Sequence, residues 1–207
     1  YGIVISVDSE TEITTKDMGD HIALDSYRIA KATGTGASVV CIHGLDASYD
    51  HLASFVILNG AGKVDTDAAF LRVFRAWVVG SGSGGTNAAT IDIQNNAGAV
   101  TQAEIETGIG QTNMAIWTVP EGTRLLITGT FAGETNNARA SVTIYHRPTL
   151  EVFRPIGFTL AVQANGDAHE YKLPLVFPAR TDIEMRGIAD LVNAYVSAGF
   201  EGWYETV

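Results

Sequence analysis

Asp182 and Glu184 stand two residues apart in TDIE (181–184) and so share one face of any strand that carries them. Paired carboxylates are what glycoside hydrolysis uses, one as acid and the other as base or nucleophile. Arg180 and Arg186 flank the pair, however, and guanidinium groups at hand make a surface ion-pair network the expected arrangement. His21, His43, His51, His146 and His169 are scattered without the spacing of a metal site. His43 and His51 flank an expected hairpin and could approach one another; strand-end histidines satisfied by hydrogen bonds are the ordinary reading. Asp46 and Asp50 in LDASYD could offer oxygens to calcium, as could Asp65 and Asp67 in KVDTD, but neither loop has the ligand order of a calcium loop. GSGSGG (80–85) has the glycine content of a phosphate loop without its GK[ST] ending, and reads as a flexible connection. Trp77, Trp117 and Trp203 could stack on sugars; such residues more often fill a core or a subunit interface. No Ser-His-Asp or Cys-His set can be assembled by spacing. No catalytic, cofactor or metal residue is therefore assigned, and a non-enzymatic protein is expected.

Composition narrows the partners. A net charge of −10 over 207 residues argues against a phosphate-binding surface, so no nucleic acid is expected. The longest apolar runs are of strand length, so no membrane-spanning helix is expected, and no signal peptide is visible at the start. Cys41 is alone in the apolar run VVCI and reads as a small buried hydrophobe.

The elements that must position these residues are strands. Alternation predicts them over 22–31, 38–43 and 52–58, the last two as a hairpin around GLDASYD, and then over 70–79. Ile91 and Ile93 alternate with Asp92 and Gln94; short strands follow near Ile105 and over 114–119. Leu125, Ile127 and Phe131 alternate with Arg124, Thr128 and Thr130. Val142 with Ile144, Phe158 with Leu160 and Val162, Tyr171 with Leu173, Leu175 and Phe177, Ile183 with Met185, and Ala194 with Val196, Ala198 and Phe200 repeat the pattern. The best helical candidate is one short turn over 103–107. Turns every 8 to 12 residues or so predict an all-β antiparallel sandwich, jelly-roll-like, as one domain over 21–207. Residues 1–20 are polar and acidic after YGIVISV and read as an extended arm that gains order on a partner.

FLRVFRAWVV (70–79) is the organising stretch, apolar on both alternating faces. Arg72 and Arg75 interrupt it, one on each face, and need carboxylates or carbonyls if buried. Together with the aromatic-rich GFEGWY (199–204), this run predicts a homo-oligomer, a trimer being preferred. The candidate interface residues are Tyr1, Ile3, Val4 and Ile5 in the arm, Arg72, Phe74, Arg75 and Trp77 in the organising strand, and Trp203 and Tyr204 near the end.

Several stretches taken in order, GTGASVVCIHGLDASYD, ASFVILNGAGKVDTDAAFLRVFRAWVVGSGSGGTNAATIDI, GQTNMAIWTVPEGTRLLITG, LVFPARTDIEMRG and VSAGFEGWY, resemble a group of tailed-phage virion proteins frequent in marine and cyanobacterial phages. The resemblance spans roughly residues 34–204 and rests on turn-and-strand motifs. It implies a structural virion component, most simply a decoration (cement) protein on the capsid exterior that binds the major capsid protein. A fibre or tail accessory protein binding host-surface glycans is the alternative, and a polysaccharide-degrading enzyme the third.

Overall fold

The computed structural model describes residues 28–31, 37–59, 62–82, 84–95, 100–134, 138–163, 166–190 and 196–207. Tyr1, Ile3, Val4, Ile5 and the rest of the expected arm lie outside them. The described residues form fourteen strands and no helix, and every strand pairing is antiparallel. They fall into two compact units, one drawn from residues up to Asn113 and the other from Met114 onward.

The first unit holds β1 (Arg28–Lys31), β2 (Ala37–Leu45), β3 (His51–Ile57), β4 (Lys63–Asp65), β5 (Arg72–Ser81), β6 (Ile91–Gln94) and β7 (Thr101–Ile105). They make two sheets, ordered β4-β1-β6-β7 and β3-β2-β5. The expected hairpin is present: β2 and β3 pair from Val39 with Ile57 to Leu45 with His51. Its turn is built by the Asp46 carboxylate, whose Oδ1 accepts the N–H groups of Ser48 (2.8 Å) and Asp50 (2.9 Å). Alternation works as read in β6, where Ile91 and Ile93 are fully buried. The helical turn expected over 103–107 is overturned. Ala103 and Ile105 lie in β7, opposite Ile93 and Ile91, and that cross-strand apolar pairing outweighs five residues of helix, too few to nucleate alone.

The second unit holds β8 (Ile116–Thr118), β9 (Thr123–Glu134), β10 (Arg139–Arg147), β11 (Arg154–Gln163), β12 (Gly166–Phe177), β13 (Asp182–Ala189) and β14 (Val196–Thr206). Its sheets are ordered β11-β10-β13-β8 and β12-β9-β14. One core lies between them, with Val142, Ile144, Leu160, Val162, Ile183 and Met185 from the first facing Leu125, Ile127, Phe177, Ala198 and Phe200 from the second. Each such side chain contributes roughly 1.5–3 kcal/mol for an aliphatic or phenyl group fully removed from water.

Two irregularities break the alternation within strands that read as regular. Thr128 is the unpaired residue where β14 steps from Glu201, opposite Gly129, to Gly202, opposite Ile127. Beyond it the phase of β9 inverts, so Thr130 is buried and Phe131 is half-buried on the other side, against the alternation expected from sequence. In β12 the register shifts between Glu170 and Leu175, and Leu173 is thrown outward to 82% exposure. Gly202 is required at the first bulge: a Cβ there would lie 2.0 Å from the Leu126 carbonyl oxygen. Gly44 in β2 has the same role, a Cβ falling 1.8 Å from the Arg72 carbonyl oxygen.

Candidate interaction surfaces

β5 is an edge strand of its sheet, and its burial changes along its length. Arg72, Val73 and Phe74 are buried, so the first half is covered on both faces; Val79, near the end, is exposed. Arg72 Nη1 donates to the Leu71 carbonyl at 3.0 Å, the kind of partner its burial demands. Phe74 is buried at a bulge where β2 steps from His43 to Gly44. It sets its ring edge-on to two stacked imidazoles, His43 and His51, whose centroids are 5.3 Å apart with planes 11° from parallel. The two histidines thus meet as the hairpin spacing allowed. Burial holds both imidazoles below the usual histidine range; at His43 the charges of His51 and Arg75 push the same way, while Asp50 partly offsets the effect at His51. Among the described residues no group of three or more His, Cys, Asp or Glu side chains could hold a metal ion.

The outer edge of β5 is covered by the segment 109–112. Val78 N–H donates to the Gly110 carbonyl and Thr112 N–H to the Ala76 carbonyl, both at 2.8 Å, and Trp77 faces Gln111 directly. Arg75, exposed, donates through Nη2 to Gln111 Oε1, and its guanidinium stands 5.7 Å from the centre of the Trp77 ring. Arg75, Trp77, Val78, Ile109, Gly110 and Gln111 line an open cleft of about 440 Å³.

Asn87 holds this wall in place, and its role was not read from the sequence. The side chain is 1% exposed. Its Nδ2 donates to the carbonyls of Ala89 (2.9 Å) and Glu106 (2.8 Å), and its Oδ1 accepts the N–H of Gly110 at 2.9 Å. The signal was present as Thr86-Asn87 directly after the glycine stretch, where a residue with both donors and an acceptor can tie a loop to two others.

In the second unit the candidate residues Trp203 and Tyr204 point to opposite sides of β14. Tyr204 is directed toward Trp117, whose Nε1 donates to its hydroxyl, and burial raises the phenol far above its ordinary range. Trp117 itself packs against the core. Trp203, 47% exposed, lies outside, in a cross-strand row with Leu126 of β9 and Val176 of β12. Arg124 and Glu205 close one end of the row. Arg124 Nε and Nη2 both donate to Glu205 Oε2, at 2.9 and 2.5 Å, and Trp203 Nε1 donates to the other carboxylate oxygen at 3.3 Å. These hydrogen bonds hold the Glu205 carboxyl below the usual carboxylate range. An apolar row with a paired, exposed charge at its rim has the anatomy of a protein-binding patch.

The carboxylates singled out in TDIE are buried, not on the surface. Asp182 is 3% exposed and Glu184 fully buried. Asp182 pairs with Arg147, across the strand on β10, whose Nε and Nη2 donate to Oδ2 at 3.0 and 2.7 Å; Thr118 Oγ1 donates to Oδ1 at 2.6 Å. Glu184 pairs with Arg186, as the spacing suggested, while Arg180 turns away to Glu121. The Phe153 ring lies between the two guanidinium groups, 4.5 Å from Arg147 and 5.2 Å from Arg186. Carboxylates buried against guanidinium groups in this way suit a structural part.

The chain matches no protein-family model, and no curated protein sequence is similar to it.

Proposed function

We propose that this protein is a non-enzymatic structural component of a tailed-phage virion, a decoration protein on the capsid exterior that binds the major capsid protein. The row Trp203–Leu126–Val176, exposed at both ends, with its Arg124–Glu205 rim carries the reading. Large apolar side chains presented together on a sheet face, beside a satisfied ion pair, suit a partner surface of protein. An all-β body also suits the task, since a decoration protein has to occupy many equivalent sites and withstand shear, and the motif resemblance points to the same setting. Repetition over a lattice supplies avidity to a modest single contact. The proposed assembly is a homo-oligomer, a trimer preferred.

The test is occupancy on expanded, undecorated capsids. Trp203→Ala should weaken binding about tenfold or more, the cost of a hot-spot aromatic being of order 2 kcal/mol. Val176→Glu, at a 54% exposed position, should do the same without touching the core. Unchanged occupancy for both variants, with circular dichroism unaltered, overturns this surface as the docking site.

A further inference from the structure

We propose that the cleft beside β5 is a carbohydrate subsite that takes one pyranose ring of a glycan. It belongs to the first unit and does not depend on the assembly role argued above.

A pyranose has a flat face of C–H groups and a rim of hydroxyls, and the cleft offers a counterpart to each. Arg75 and Trp77 share one face of β5, and the segment 109–111 runs antiparallel beside them with Gln111 opposite Trp77. The indole gives a large flat apolar surface. Ile109, 48% exposed, extends the apolar lining. Hydroxyls need planar groups that donate and accept: the Arg75 guanidinium carries five N–H donors and the Gln111 amide both functions. Because Arg75 and Gln111 already hydrogen-bond to one another, each is held before a ligand arrives, which lowers the ordering cost of binding. At 5.7 Å the guanidinium stands over the ring near the outer limit of a cation–π contact, about 6 Å.

The wall is fixed from behind. Gly110 N–H is held by buried Asn87, and its carbonyl accepts from Val78. A volume of about 440 Å³ lies within the size range of ligand pockets, about 300–1,000 Å³. A nucleobase could also stack on Trp77, but its phosphates would approach a chain of net charge −10.

The experiment is a printed array of glucan, mannan, galactan and uronate oligosaccharides probed with the full chain, followed by calorimetry on the strongest sugar. AMP serves as the stacking control. Binding is expected on the array, weakened at least tenfold by Trp77→Ala and three- to tenfold by Gln111→Ala. Should Trp77→Ala lower the melting temperature, Ile109→Glu, at an exposed position, supplies the same readout with the fold intact and should weaken binding at least threefold. Three results would overturn the proposal: no sugar bound on the array, sugar affinity unchanged in Gln111→Ala and Ile109→Glu, or Trp77-dependent binding of AMP in place of sugar.

Discussion

Asp182 is a carboxylate taken out of water and met there by hydrogen-bond donors. Two N–H groups of Arg147 and the Thr118 hydroxyl converge on it. Removing one member of such a set costs more than the set is worth, because the other charge stays buried. Asp182→Asn should lower stability by about 3–5 kcal/mol in a denaturant melt. The double variant Asp182→Asn/Arg147→Met should lose less than the sum of the two single variants. Additive losses would show that the two side chains are not coupled. The pairing also marks the reach of sequence reading at this scale. The carboxylates and their shared face were legible in TDIE, as was Arg186 beside Glu184. Arg147 was not, since it lies 35 residues away and meets Asp182 only through the β10–β13 register.

The same limit governs whole strands. Alternation located β6, β10 and β13 because nothing interrupts their inner faces, and Ile93, Val142 and Ile183 are buried as read. It failed where the strand ladder is interrupted. Thr128 inverts the phase of β9, and the register shift in β12 expels Leu173. A bulge depends on what the partner strand presents, here Gly202 against Leu126, and one strand's pattern holds no record of it. The cleft wall was illegible for a related reason: Asn87 reaches residues 18 to 23 positions onward. The close approach at Gly44 gives a test of packing between β2 and β5. Gly44→Ala should cost at least about 2 kcal/mol, since a methyl group 1.8 Å from a backbone oxygen forces the strands apart. A melting temperature within 1–2 °C of the parent, roughly the shift of a few tenths of a kcal/mol, would mean that the strands separate freely there.

For the molecule as a whole, acid should be felt through histidine before carboxylates. The imidazoles of His43, His51 and His146 are all held below the ordinary value of 6.5, each chiefly by burial. Between that value and their lower folded values the unfolded chain binds more protons than the folded one, so stability rises with pH. The contribution is complete above about pH 6.5 and is lost progressively as the pH falls below it. Thermal melts should therefore show the melting temperature dropping as the pH falls below about 6.5, before Glu205, held low by Arg124, begins to protonate. Replacing His43 and His51 together by Gln should flatten that slope. A slope unchanged in the double variant would assign it elsewhere.

The division of labour around Asn87 has a consequence for how this chain can vary. A methyl group added at Gly84 would meet nothing within 4 Å, and none added at Gly85 would either, although its φ of +71° favours glycine. The neighbouring loop wall is instead anchored by the Asn87 amide after the glycine stretch and by backbone hydrogen bonds to β5. Length and composition near Gly84 are thereby uncoupled from the shape of the cleft, much as a slack cable can be lengthened without moving the post it is tied to. An inserted epitope or label at Gly84 would ride on the surface while the cleft geometry stayed in register.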